Sequence, residues 1–190
     1  MKQAKVPTEG EYRRLLAAVQ QGRYAARNRV ALMLSYYAGL RVGEIAGLTI
    51  GDIFDVEGRV RDQIRLNAEI TKGGHARIAF VNDKLSREIE RYKAELGDRL
   101  SHRDRALLTT QRGAGFSANT LCQLLGQIYR AAGIDGGSSH SGRRWFITRL
   151  AHSGVSAKVI MTLAGHKHLT TTQRYIDVND EMMRAAVDIL

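Results

Sequence analysis

Leu163-Ala-Gly-His166-Lys-His-Leu-Thr-Thr-Thr-Gln-Arg174-Tyr175 is the stretch on which the reading of this chain turns. The Gly165-His166 step closes an apolar helical run, and a glycine there suits the left-handed residue that ends many helices. Thr170 and Gln173 then form a capping-box pattern that starts a new turn. That turn delivers a lone phenol, Tyr175. A phenol with a pKa of ~10 is a weak nucleophile at neutral pH unless neighbours stabilise its oxyanion. Whether Tyr175 is more than a packing residue depends on which cations the rest of the chain brings near it.

Working outward, helical patterns dominate. Thr8 and Glu11 form a capping box ahead of Leu15, Leu16 and Val19. Val30, Met33, Leu34 and Tyr37 recur at i, i+3, i+4, i+7, and Gly39 follows as a helix-ending glycine. Arg41-Val-Gly-Glu44-Ile-Ala-Gly-Leu48 predicts a short helical turn. The period then changes. Ile64, Leu66, Ala68 and Ile70 alternate, as do Ile78 and Phe80, with Lys72-Gly73-Gly74-His75 between them. This predicts a small antiparallel sheet with Lys72 at a tight hairpin tip. Helical spacing returns over 84–95. It recurs through Leu121, Leu124, Leu125 and Ile128 after Ser117 and Asn119, then over 140–151 and 156–163. The tail, 180–190, forms a last amphipathic helix with Met183, Val187 and Leu190 on one stripe. The expected class is mainly α with a small antiparallel β-sheet (α+β). One domain is expected over 1–190, with 1–7, around the sole proline Pro7, as a linker or tail.

The 190 residues, 44% hydrophobic and 25% charged, suffice for a sizeable core. A formal net charge of +10 points to a polyanionic partner, nucleic acid before an acidic membrane surface. No apolar stretch approaches the ~20 residues of a membrane span, and the N-terminus has no signal-type apolar core. A single cysteine, Cys122, excludes an internal disulfide and fits a reducing cytoplasm; its apolar neighbours suggest a small core residue.

Five cationic or imidazole residues stand where a loop or helix end could present them. Arg41 follows the helix-ending Gly39, and Lys72 sits in the predicted turn. His140 and Arg143 are three apart and share one helix face, with Phe146, Ile147 and Leu150 on the buried side. His166 follows Gly165. Each has an ordinary explanation when taken alone: a solvated arginine, an exposed turn lysine, a capping or core histidine, a packing tyrosine. His140, His166 and His168 could also suggest a metal cluster, but no carboxylate or thiolate lies at a supporting spacing. Asp177-Val-Asn179-Asp180 lacks the glycine and closing glutamate of a calcium loop.

The ordered set is more specific than its parts. Gly39-Leu-Arg41-Val-Gly-Glu44, Thr71-Lys72-Gly-Gly, His140-Ser-Gly-Arg143-Arg144, Leu163-Ala-Gly-His166 and Thr-Thr-Gln-Arg-Tyr175 occur in this order, inside a resemblance that runs from about Thr8 to Asn179. The order resembles the catalytic domain of the tyrosine recombinases, or phage integrase family. The resemblance implies that fold, and DNA strand cleavage through a 3′-phosphotyrosyl bond with no metal and no other cofactor. It implies Tyr175 as nucleophile, Arg41 and Arg143 as clamps on the phosphate, and Lys72 as general acid. His140 would assist proton movement, His166 would donate to the phosphate, and Glu44 would support Arg41. Arg112, Arg144 and Lys167 are further candidates for DNA contact.

Two features depart from the family pattern. Ser141-Gly142 stand where an acidic or polar residue and then leucine are commoner, so an apolar packing side chain is expected to be missing from that helix. Only forty residues precede Arg41, so the N-terminal core-binding domain of family members is expected to be absent, in either an excised domain or a minimal recombinase. The expected partner is double-stranded DNA, engaged by a homotetramer that is monomeric in isolation, in the cytoplasm at the nucleoid. A topoisomerase of type IB and a non-catalytic helical DNA-binding module are the competing readings.

Overall fold

Thr8 starts the first helix as its spacing predicts. Its hydroxyl accepts the Glu11 N–H at 3.2 Å, and the Glu11 carboxylate accepts the Thr8 N–H at 3.0 Å. Two donors that a helix N-terminus leaves open are thereby satisfied. The computed structural model describes residues 4–71, 74–176, 178 and 180–188. In chain order, α1 (Glu9–Gln20), α2 (Ala25–Tyr37), α3 (Val42–Gly47) and α4 (Ile50–Ile53) lead into β1 (Gln63–Leu66) and β2 (Arg77–Phe80). Then follow α5 (Asp83–Leu96), α6 (Ala118–Ala131), α7 (Ser141–His152), α8 (Ala157–Ala164), α9 (Leu169–Gln173) and α10 (Asp180–Val187).

Helix α2 is the axis of the molecule. Every residue from Val30 to Tyr36 is buried, a wider apolar surface than the i, i+3, i+4, i+7 stripe predicts. The reason is that α1, α5 and α7 all pack on it, and a helix covered on all sides is apolar on all sides. The main core gathers side chains from α1 to α6, including Leu34, Ile45, Leu85 and Leu121. A smaller second core lies under α7 and α8, where Ile147, Ala151, Ile160 and Ala164 are buried. Phe146, Leu150, Tyr175 and Ile176 pack against it.

The sheet is two-stranded and antiparallel, as expected, but it differs in two respects. The alternation does not continue to Ala68 and Ile70: 68–70 form a 3-10 turn, so the connection over 67–76 is longer than a tight hairpin. Lys72 lies outside the described residues. Ile78 and Phe80 also face outward, 42% and 52% exposed, while Ala79 is buried. Register explains this. Ile64 pairs with Ala79 and Leu66 with Arg77, and directly opposed residues share one face of a sheet. With Ile64 and Leu66 buried, Ala79 and Arg77 must point inward too.

Two other expectations change. Cys122 is exposed on α6, with its sulfur 3.2 Å from the Ser139 hydroxyl, because the apolar face of that helix is formed by Leu121, Leu125 and Ile128. The capping box of Thr170 and Gln173 does not form. Helix α9 begins at Leu169, one residue before Thr170, and is seated on α8 by the wholly buried Thr172. The last helix forms as expected, and on its stripe Met183 is 52% and Val187 68% exposed. Leu190 and the rejected calcium-loop positions Asp177 and Asn179 lie outside the described residues. Among the described residues no helix is long and apolar enough to cross a membrane.

Candidate active site

Helix α8 ends at Gly165, whose φ of +60° gives the left-handed cap expected from the Gly-His step. The last carbonyls of a helix have no intrahelical partner and carry the negative end of its dipole. Here three in a row are each taken by a different arginine. Leu163 O accepts from Arg77 Nη1 at 2.8 Å, Ala164 O from Arg143 Nη2, and Gly165 O from Arg41 Nη2 at 3.1 Å.

Glu44 binds two of these arginines from the other side. It is buried at the third position of α3. Its Oε2 accepts the Arg41 backbone N–H at 2.7 Å and its Oε1 accepts Arg41 Nη1 at 3.0 Å. Arg77 forks onto the same carboxylate through Nε at 3.2 Å and Nη2 at 2.7 Å. Burial raises the Glu44 pKa, but the Arg77 hydrogen bond and charge, with those of Arg41, outweigh it and hold Glu44 below the ordinary carboxylate value. Arg143 donates Nη1 to Gly39 O. Its pKa is pushed down to about 9 by burial and by the charges of Arg41 and Arg77, which leaves it charged at neutral pH. Among these four side chains three guanidiniums meet one carboxylate, so the cluster keeps a positive excess.

The cluster forms one wall of an open cavity of about 920 Å³. His140, His166 and Tyr175 line the same cavity, as do Arg144, Lys167 and Arg174. His140 is exposed at the position that starts α7. His166 Nδ1 lies 2.8 Å from Thr172 Oγ1. Its pKa is pushed down to about 4 by burial and by the charges of Arg143, Arg41 and Arg77, so the imidazole is neutral across the physiological range. Tyr175 follows α9. Its ring stacks on that of His166 with centroids 5.9 Å apart, and the Arg144 guanidinium lies 5.2 Å from the ring centre.

The sequence-based set is therefore gathered, with two exceptions. Arg41, His140, Arg143, His166 and Tyr175 share the cavity, with Glu44 behind Arg41. Lys72 lies outside the described residues. Of the candidate DNA contacts, Arg144 and Lys167 line the cavity. Arg112 does not; it is exposed in the turn closed by the Thr109–Gly115 bridge. Among the described residues no group of three or more His, Cys, Asp or Glu is placed to hold a metal ion.

Two residues escaped the sequence reading. Arg77 was hidden by strand parity, because placing Ile78 and Phe80 inward turns Arg77 to solvent. Thr172 was obscured by assigning the capping role to Thr170. Gly142 also has a role opposite to that expected. A Cβ there would lie 2.7 Å from Ser35 Oγ and 2.7 Å from Tyr36 Cδ2. The glycine does not leave a gap in α7; it lets α7 approach α2 closely enough to bring Arg143 to Gly39.

Residues 5–182 match the model of the phage integrase family. This chain belongs to that family. It is 30% identical over 183 residues to the tyrosine recombinase XerD of Neisseria meningitidis serogroup B, covering 95% of this chain and 60% of that protein. It is 32% identical over 168 residues to XerC of Myxococcus xanthus, covering 85% of this chain and 54% of that one. The integrase-family chain thus spans between about half and three fifths of the length of these relatives. Among solved structures, the XerA recombinase superposes with a TM-score of 0.76 at 25% identity, over 98% of this chain and 65% of XerA. The Tn1549 transposon integrase, solved with a circular intermediate DNA, gives a TM-score of 0.78 at 19% identity, over 100% of this chain and 67% of that one, which is a likeness of fold.

Proposed function

We propose that this integrase-family chain cuts and rejoins double-stranded DNA at specific sites, one strand at a time, through a 3′-phosphotyrosyl intermediate. The observation that carries this reading is the convergence of Tyr175, His166 and two anchored guanidiniums, Arg41 and Arg143, on one cavity with a positive excess. Tyr175 Oη attacks the scissile phosphorus. The bond from phosphorus to the 5′-oxygen breaks, and that oxygen takes up a proton. One phosphoester replaces another, so rejoining needs no nucleotide. Arg41 and Arg143 stabilise the non-bridging oxygens, where planar charged donors held in place beforehand are most effective.

His166 is neutral. If its Nδ1 accepts the Thr172 hydroxyl proton, its N–H is on Nε2, available to a phosphate oxygen. His140 assists removal of the Tyr175 proton. Lys72 is assigned the proton for the leaving oxygen on its motif. Lys167, Arg144 and Arg112 would contact the DNA backbone, which positions the duplex without reading its sequence. The uncovered stripe of α10 would dock on a neighbouring copy when a tetramer assembles on DNA. In this reading the guanidiniums, the imidazoles and Lys72 take the electrostatic and proton-transfer roles, with no metal or nucleotide cofactor assigned.

The test is a suicide DNA duplex, nicked so that the cleaved end diffuses away. Wild-type chain should give a covalent adduct on a denaturing gel, and Tyr175→Phe should give none. An adduct that persists in Tyr175→Phe would remove Tyr175 as the nucleophile. Site-independent relaxation of supercoiled plasmid would favour the topoisomerase reading.

A further inference from the structure

We propose that Arg77 is a positioning residue for strand cleavage, one that occupies Glu44 and the end of α8 so that Arg41 and Arg143 can be directed at phosphate. This rests on the reading that the cavity binds a scissile phosphate.

Arg77 is built into the site more firmly than an incidental charge would be. Its side chain is buried at the β2 end that pairs with Leu66. It forks onto both oxygens of Glu44 and caps Leu163 O, which ties β2, α3 and α8 together. The fit is close: a Cβ at Gly165 would lie 2.4 Å from Arg77 Cδ. Gly165 thus serves the Arg77 stem as well as the turn into His166.

The consequence for Arg41 is electrostatic and geometric. Glu44 is buried, and a carboxylate with one guanidinium partner would draw Arg41 inward and leave the cluster with one positive charge fewer. Arg77 supplies a second guanidinium. It shares both carboxylate oxygens, so Arg41 is held by one side-chain bond to Glu44 and one to Gly165 O. The positive excess then falls on Arg41 and Arg143, which line the cavity beside Arg77. Lysine cannot reproduce this, because an ammonium cannot fork onto Glu44 and reach Leu163 O in one plane. Arg77 lines the cavity too, but each of its three guanidinium nitrogens is engaged by Glu44 or Leu163 O, so it acts through Arg41, Arg143 and the α8 end rather than on the DNA.

The experiment compares wild type, Arg77→Gln and Arg77→Lys on two suicide duplexes. One carries the normal scissile phosphate; the other carries a methylphosphonate there, with one non-bridging oxygen replaced by a neutral methyl group. Single-turnover adduct formation is measured alongside DNA affinity and melting temperature. Arg77→Gln should slow cleavage of the phosphate roughly 10²-fold, comparable to loss of one oxyanion donor. The loss on methylphosphonate should be much smaller, because less charge awaits the guanidiniums. Arg77→Lys should fall between wild type and Arg77→Gln, and it carries the same comparison if Arg77→Gln does not fold. Equal losses on the two duplexes, or losses that track only the folded fraction, would reduce Arg77 to a structural role. A wild-type rate in Arg77→Gln would overturn the proposal outright. A wild-type chain that forms no Tyr175 adduct would instead overturn the proposed cleavage itself.

Discussion

The Nδ1 of His166 lies 2.8 Å from the hydroxyl of Thr172, a side chain wholly buried in α9. This contact fixes the imidazole plane and links the residue after the α8 cap to the turn that presents Tyr175. Thr172→Val keeps the shape and removes the partner. Leaving a polar group without its hydrogen bond costs ~1–3 kcal/mol. Thr172→Val should therefore slow adduct formation on the suicide duplex roughly 5- to 150-fold. The nitrogen shifts of His166, read by NMR, should show the tautomer preference lost in the same variant.

The depressed pKa of His166 also makes stability depend on pH. Between the ordinary histidine value of ~6.5 and the folded value of about 4, the unfolded chain binds more protons than the folded one. Stability should fall as pH drops through that window and lose nothing further to this group below it. His166→Asn should flatten the slope in melts between pH 7 and pH 5. Glu44 acts lower: its folded pKa lies below its ordinary value, so its contribution is lost only under about pH 4.5.

Glu44→Gln should be among the more damaging single substitutions in the chain. It leaves Arg41 and Arg77 facing each other beside Arg143 without the buried carboxylate between them. Breaking a buried ion pair from one side costs ~3–5 kcal/mol. At ~2–4 °C per kcal/mol for a chain of this size, the melting temperature should drop on the order of 10 °C. A thermal melt checks this directly.

Two glycines should respond to alanine with opposite sign. Gly142→Ala forces α7 away from α2 and should cost ~1–3 kcal/mol by overpacking. Gly126 lies inside α6, where the nearest atom to a new Cβ is Arg130 Nη1 at 3.6 Å, an ordinary contact. Gly126→Ala should stabilise by up to ~1 kcal/mol through helix propensity. Urea unfolding of the two variants distinguishes them, and Gly142→Ala should also lose cleavage through displaced Arg143.

The exposed stripe of α10 predicts a separation between folding and assembly. Met183→Ser with Val187→Ser touches little of the core, so the monomer should keep its stability within ~0.5 kcal/mol. If the stripe docks on a neighbouring copy, the same variant should form fewer higher-order complexes on DNA in a native gel. Equal retention of those complexes would free the stripe of that role.

Much of this arrangement could be read from sequence because it rests on local signals. Gly39 and Gly165 mark helix ends wherever they occur, and the Thr8–Glu11 capping box closes within one turn. The histidine and arginine of His140-Ser-Gly-Arg143 share a face through helical spacing alone. What escaped was set by long-range contact. The inward direction of Arg77 follows from which residue of β1 it opposes, and alternation alone cannot tell one strand face from the other. The role of Gly142 depends on α2, more than a hundred residues away in the chain. Burial of α2 on all sides depends on three helices packing around it.

The three arginine-bonded carbonyls at the end of α8 have a meaning for the life of the chain before it meets DNA. Arg41 reaches Gly165 across 124 positions, and Arg77 reaches Leu163 across 86. Such contacts form only after distant segments have been brought together, the slow part of folding. A nascent or half-folded molecule can already contain its tyrosine and still lack the three arginines gathered at the end of α8. Under the proposed function, strand cleavage waits on these dockings, and a molecule without them would hold its tyrosine apart from its arginine clamp.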